Sequence, residues 1–162
     1  MRTIKDWMSK VGVFYANTVT PRFNIYNATT PCATATLTNA GEWYLVSNSN
    51  LVVSDSVVAF SVTDGVATYT GTTPVTMLFN GSAYVEVSAA AELSFSVWIN
   101  GVLVPGCIAF RDYVASDKSS TLTNNDTITI YPSDVIEVKA MSNVAGLDIV
   151  VNSINVTMVL GS

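Results

Sequence analysis

Histidine is absent from this chain of 162 residues. That removes Ser-His-Asp and Cys-His nucleophilic systems and most catalytic zinc sites from consideration. Charge is scarce: 12% of residues are Asp, Glu, Lys or Arg, against about 25% in an ordinary soluble domain. A surface so poor in ions is made of Thr, Ser and Asn, is covered by other subunits, or both. The seven basic residues are scattered and the net charge is −5, which argues against nucleic acid as a partner, because phosphate contacts need grouped Lys and Arg. The two cysteines, Cys32 and Cys107, are too few for a metal centre and read as free, buried thiols, since Cys behaves as a small apolar residue.

No apolar stretch reaches the roughly 18 residues of a membrane span. The opening MRTIKDWMSKVGVFYAN carries Asp6 and does not have the apolar centre of a secretory signal. The chain is therefore expected to be made in a cytoplasm and not to enter a membrane. There is no phosphate-cradling glycine loop, no CxxC and no Gly-x-Ser-x-Gly elbow. The N-x-[ST] triplets at Asn27, Asn80, Asn125 and Asn155 are what an Asn- and Thr-rich chain yields by chance. Acid–base catalysis by two carboxylates stays formally open, with Asp112 and Asp117 or Asp134 and Glu137 as pairs that could be put forward, and Asp117, Asp126 or Asp134 could belong to a calcium site. Asp134 follows Pro132-Ser133 at a turn and Glu137 sits beside Lys139 on a strand's outer face, so ordinary structural roles account for both. The expectation is a protein without catalytic equipment and without cofactors.

What is present is periodicity. Ile4, Trp7, Met8, Val11, Phe14 and Tyr15 recur at helical spacing, with Lys5, Asp6, Ser9 and Lys10 opposite. This segment is a short helix or extended arm that packs on its own domain or docks on another protein. Residues 17–31, with Pro21 and Pro31, read as a linker or arm. The period then changes to two. Ala33, Ala35 and Leu37 alternate with threonines, and Leu93, Phe95, Val97 and Ile99 oppose Ser94, Ser96 and Trp98. Ile128 and Ile130 oppose Thr127, Thr129 and Tyr131, and Ile154 to Leu160 closes the chain as a last strand. Such alternation marks strands with one buried face.

Asp64-Gly65 and Asn100-Gly101 supply the positive φ values of two-residue hairpins. Asn80-Gly81, Pro105-Gly106 and Asn124-Asn125-Asp126 mark further expected turns. Nine or so strands follow, with no helix among them, which predicts an all-β antiparallel sandwich or jelly roll over residues 32–162, preceded by an arm over 1–31. Tyr84, Trp98 and Tyr131 fall on the polar faces of their strands. They either cover neighbouring strands or sit in a subunit interface, where Trp and Tyr are enriched. Trp43 and Tyr113 are candidates for exposed loop aromatics.

The order of segments carries a resemblance. Gly41-Glu42-Trp43-Tyr44-Leu45-Val46 is followed by Phe60-Ser61-Val62 and the Asp64-Gly65 turn, then Ala67-Thr68-Tyr69-Thr70-Gly71. Ser96-Val97-Trp98-Ile99-Asn100-Gly101-Val102 and Tyr131-Pro132-Ser133-Asp134-Val135-Ile136-Glu137-Val138 come later. Over residues 36–160 this resembles the jelly-roll domains of tumour-necrosis-factor and complement globular-head type, especially versions in tailed-phage and other viral structural proteins. The chain departs from that pattern with Ser133 where glycine is usual before the aspartate, and with Ile99 where lysine often precedes Asn-Gly. The resemblance implies a homotrimer on a virion surface: a capsid decoration protein or head fibre attached to the major capsid or tail protein through its N-terminal segment. Its alternative is a tail-fibre knob or a module binding a host receptor or glycan.

Overall fold

The computed structural model describes residues 22–27, 33–46, 51–53, 59–64, 66–114 and 120–160. The expected helix over residues 2–15, with Ile4, Trp7, Met8, Val11, Phe14 and Tyr15, lies outside the described residues, as do Cys32 and Asp117. Twelve strands are described: β1 (Arg22–Asn27), β2 (Ala33–Leu37), β3 (Trp43–Leu45), β4 (Leu51–Val53), β5 (Phe60–Thr63), β6 (Val66–Tyr69), β7 (Val75–Val87), β8 (Ala91–Ile99), β9 (Val102–Tyr113), β10 (Ser120–Ile130), β11 (Val135–Ser142) and β12 (Leu147–Leu160). They form two antiparallel sheets, and the described residues contain no helix.

Sheet A has the order β10-β7-β12-β1-β4, with β2 pairing β12 beyond the end of β1. Sheet B has the order β5-β6-β11-β8-β9, with β3 pairing β11. Consecutive strands repeatedly fall in different sheets, as β6 and β7 or β11 and β12 do, which is the jelly-roll way of closing a sandwich. Sheet A takes in β1, upstream of the expected arm boundary at residue 31.

Alternation builds the core. In β7, Met77, Phe79, Ala83 and Val85 point inward, while Thr76, Leu78, Asn80 and Tyr84 point out. From sheet B, Leu93, Phe95 and Val97 of β8 meet them, with Ile136 and Ala140 of β11. Both predicted hairpins form: Thr63 pairs Val66 across Asp64-Gly65, and Ile99 pairs Val102 across Asn100-Gly101. Asp64 (φ 48°), Asn100 (φ 51°) and Gly101 (φ 75°) hold the left-handed backbone those turns require.

The other expected turns are corrected. Asn80-Gly81 lies within β7, and Asn124-Asn125-Asp126 runs beside it within β10. Gly81 serves packing: a Cβ there would sit 2.7 Å from Cζ of the Phe79 ring, which fills that space in the core. Pro105-Gly106 lies within β9, where the ladder with β8 changes register and the chain bulges before pairing resumes at Ile108.

Candidate functional site

Among the described residues the polar side chains with chemistry to offer are dispersed, and the bonds of those detailed below are structural. Both oxygens of the buried Asp134 carboxylate are engaged: Oδ1 accepts from Asn100 Nδ2 at 2.6 Å and Oδ2 from the Tyr131 backbone N–H at 2.7 Å. Asn100 Oδ1 in turn accepts from the Val135 N–H at 2.9 Å. The Ser133 N–H donates to the Tyr69 carbonyl, and the Tyr69 N–H to the Asp134 carbonyl. The knot thus ties the β10–β11 turn to the β8–β9 hairpin and to β6. Glu137 does not face Asp134; it pairs with Lys139 at 3.2 Å on the outside of sheet B. Asp126 caps the Thr127 N–H and lies against Gly106. Among the described residues no three His, Cys, Asp or Glu side chains group as metal ligands. Cys107 is a free, buried thiol, its pKa pushed up from 9.0 to about 12 by burial and then by the nearby Asp126 charge.

The two outer faces of the sandwich differ in character. On sheet A the described outward side chains include Thr34 and Thr36 of β2, Thr76 to Glu86 on alternate positions of β7, Asn125, Thr127 and Thr129 of β10, and Asp148, Val150, Asn152, Ser153 and Thr157 of β12. Thr76 and Thr129 hydroxyls meet at 3.3 Å across the β7–β10 ladder. Two large apolar side chains stand out of this hydroxyl and amide field, Leu78 (44% exposed) and Tyr84 (37%). Neither Lys nor Arg occurs among these described side chains. The two acids sit at one end and are hydrogen-bonded, Glu86 by Asn152 Nδ2 (2.8 Å) and Asp148 by Thr36 Oγ1 (2.6 Å).

The outside of sheet B is aromatic and ionic. Trp43 and Trp98 meet edge to face at 5.7 Å between ring centroids, and Lys139 Nζ lies 4.5 Å over the Trp98 ring while paired to Glu137. Ser94 and Ser96 of β8 lie between Met141 and Lys139 of β11 on one side and Phe110 and Ile108 of β9 on the other. Phe110 is 70% exposed.

The structure does not bring Tyr84, Trp98 and Tyr131 together. Tyr84 belongs to the outside of sheet A and Trp98 to the outside of sheet B, while Tyr131 stands exposed in the β10–β11 turn. Two expectations of exposed loop aromatics are corrected. Tyr113 ends β9 facing the core and is buried, and Trp43 is a half-buried strand residue packed on Trp98. Phe110, which no sequence feature singled out, is the most exposed aromatic side chain described; its alternation with core-facing Ala109 in β9 was the available signal.

No protein-family model and no curated protein matches the sequence. Solved structures do match the fold. Murine APRIL superposes with a TM-score of 0.58 at 10% identity, over 86% of this chain and 99% of that one. PRD1 vertex protein P5 does so at 0.55 and 14%, over 90% and 100%. The globular domain of zebrafish complement 1qA matches at 0.52 and 13%, over 88% and 98%. The chain is an all-β antiparallel sandwich of the jelly-roll type found in tumour-necrosis-factor-like and complement globular-head domains. No helix among the described residues is long and apolar enough to cross a membrane.

Proposed function

We propose that this chain is a non-enzymatic virion structural protein, a homotrimeric capsid decoration or head-fibre protein, held to the particle through its N-terminal segment ahead of β1. The observation that carries the proposal is the outside of sheet A. A face of Thr, Ser and Asn, without described cations and with Leu78 and Tyr84 projecting from it, shares two features of an interface core, its depletion in charge and an aromatic anchor. It loses little solvation on contact, because its two acids lie at the end and are already hydrogen-bonded to neighbours. Assembly through this face assigns Tyr84 to the trimer contact and leaves Trp98 and Tyr131 outside it. Three copies, rather than two, are what the resemblance to tumour-necrosis-factor and complement globular-head domains supports. A place on a virion is supported by the shared fold with a vertex protein.

Attachment falls to the amphipathic segment with Ile4, Trp7, Met8, Val11, Phe14 and Tyr15, whose apolar stripe suits docking on a capsid or tail protein. Deleting residues 2–15 is expected to leave a folded trimer that no longer decorates particles when the two are mixed and sedimented together. Decoration that survives the deletion would contradict the anchor.

A further inference from the structure

We propose that the outside of sheet B is a second docking surface, one that takes a basic, apolar protein segment from a partner. The face has an apolar band and an acidic end. Phe110 and Ile108 project from β9, beside the small Ser94 and Ser96, with Met141 and Trp43 beyond. Phe110, at 70% exposed, is a large aromatic surface left in water within a strand rather than at a loop tip. At the end of the band, Glu92 and Asp112 stand directly opposite one another on β8 and β9. Like charges at directly opposed positions repel, and among the described residues no cation pairs with either. Arg111 is adjacent in sequence, but it is the partner of core-facing Leu93 in the ladder and so alternates to the other side of β9. Lys139, the one described cation on the outer face, is committed to Glu137 and to the Trp98 ring.

Among the described residues the face thus offers a partner two things, the adjacent carboxylates of Glu92 and Asp112 and the exposed apolar surface of Phe110 and Ile108. A segment with Lys or Arg next to aliphatic side chains meets both. A glycan would stack on the ring and leave the paired carboxylates unneutralised. The inference goes beyond the proposed function, since it concerns the sheet turned away from the self-contact face and holds whether or not the protein decorates a capsid.

The test uses the full chain and a fluorescent peptide of alternating Lys and Leu, with a Glu-Leu peptide and maltohexaose as the other ligands, read by fluorescence anisotropy and, for the sugar, by calorimetry. The Lys-Leu peptide is expected to bind, to weaken as salt rises, and to lose at least tenfold in affinity with Phe110→Ser. The pair Glu92→Lys/Asp112→Lys is expected to reverse the preference, so that the Glu-Leu peptide binds and the Lys-Leu peptide does not. Thermal melts identify any variant that has unfolded, and the charge-reversed pair stays informative because it gains a ligand. Absence of peptide binding, binding indifferent to both variants, or binding of maltohexaose alone would overturn the proposal. Trimer formation, measured on the same samples, reports separately on the proposed function.

Discussion

Asn100 and Asp134 are 34 positions apart in the chain, and their side chains meet at 2.6 Å between Nδ2 and Oδ1. Asn100 is needed twice over, for its left-handed backbone in the β8–β9 hairpin and for an amide that donates to Asp134 and accepts from Val135. A charge-assisted hydrogen bond of this kind contributes about 1.5–3 kcal/mol. Asp134→Ala also strands the Tyr131 N–H. The expected loss is about 2–4 kcal/mol of unfolding free energy in urea titration. A loss under about 0.5 kcal/mol, the usual range for a plain surface change, would show that the knot is incidental.

Ser133, between Pro132 and Asp134, has φ 72°. Positive φ at this turn position favours glycine. Ser133→Gly is expected to stabilise the protein by about 0.5–1 kcal/mol, the left-handed strain relieved less the extra freedom of the unfolded chain. Calorimetry at fixed pH measures it, and an unchanged or lower melting temperature contradicts it.

Gly81 needs no positive φ; it needs the absence of a side chain. Gly81→Ala puts a methyl against the Phe79 ring, and overpacking of a core costs roughly 1–3 kcal/mol. The double variant Gly81→Ala/Phe79→Leu is expected to lose less than the sum of its two single changes, which a double-mutant cycle in urea would detect.

Cys107 contributes to the response to alkali. Its folded pKa of about 12 lies above the 9.0 of the free thiol. Between these values the unfolded chain has lost a proton that the folded chain keeps, so unfolding becomes easier as pH rises. This contribution to stability is intact below pH 9 and is lost progressively towards pH 12. Cys107→Ala is expected to flatten that part of the stability–pH curve. In the native protein the thiol is expected to resist iodoacetamide at pH 8 until denaturant is added.

Local chemistry was legible in the sequence where one residue type serves one local need. Asp64-Gly65 and Asn100-Gly101 announce their hairpins because positive φ is a property of the dipeptide itself. Asn80-Gly81 has the same letters and is a strand interior, because the demand there comes from the Phe79 ring and not from the backbone. Alternation showed that Leu93, Phe95 and Val97 share a buried face. A period of two cannot say which sheet a strand joins, so Tyr84 and Trp98 read alike in sequence and lie on opposite outer faces of the sandwich. The opposition of Glu92 and Asp112 depends on the β8–β9 register, which shifts at the Pro105-Gly106 bulge and is not countable from the hairpin.

Self-association through the outside of sheet A is best tested by the mass of the purified chain in solution. Multi-angle light scattering behind size exclusion is expected to give three times 17.2 kDa, and Leu78→Asp/Tyr84→Asp is expected to give a folded species of 17.2 kDa, because two carboxylates placed at the centre of a contact must lose their water when it closes. A monomer from the unaltered chain, or a trimer indifferent to both aspartates, would contradict it.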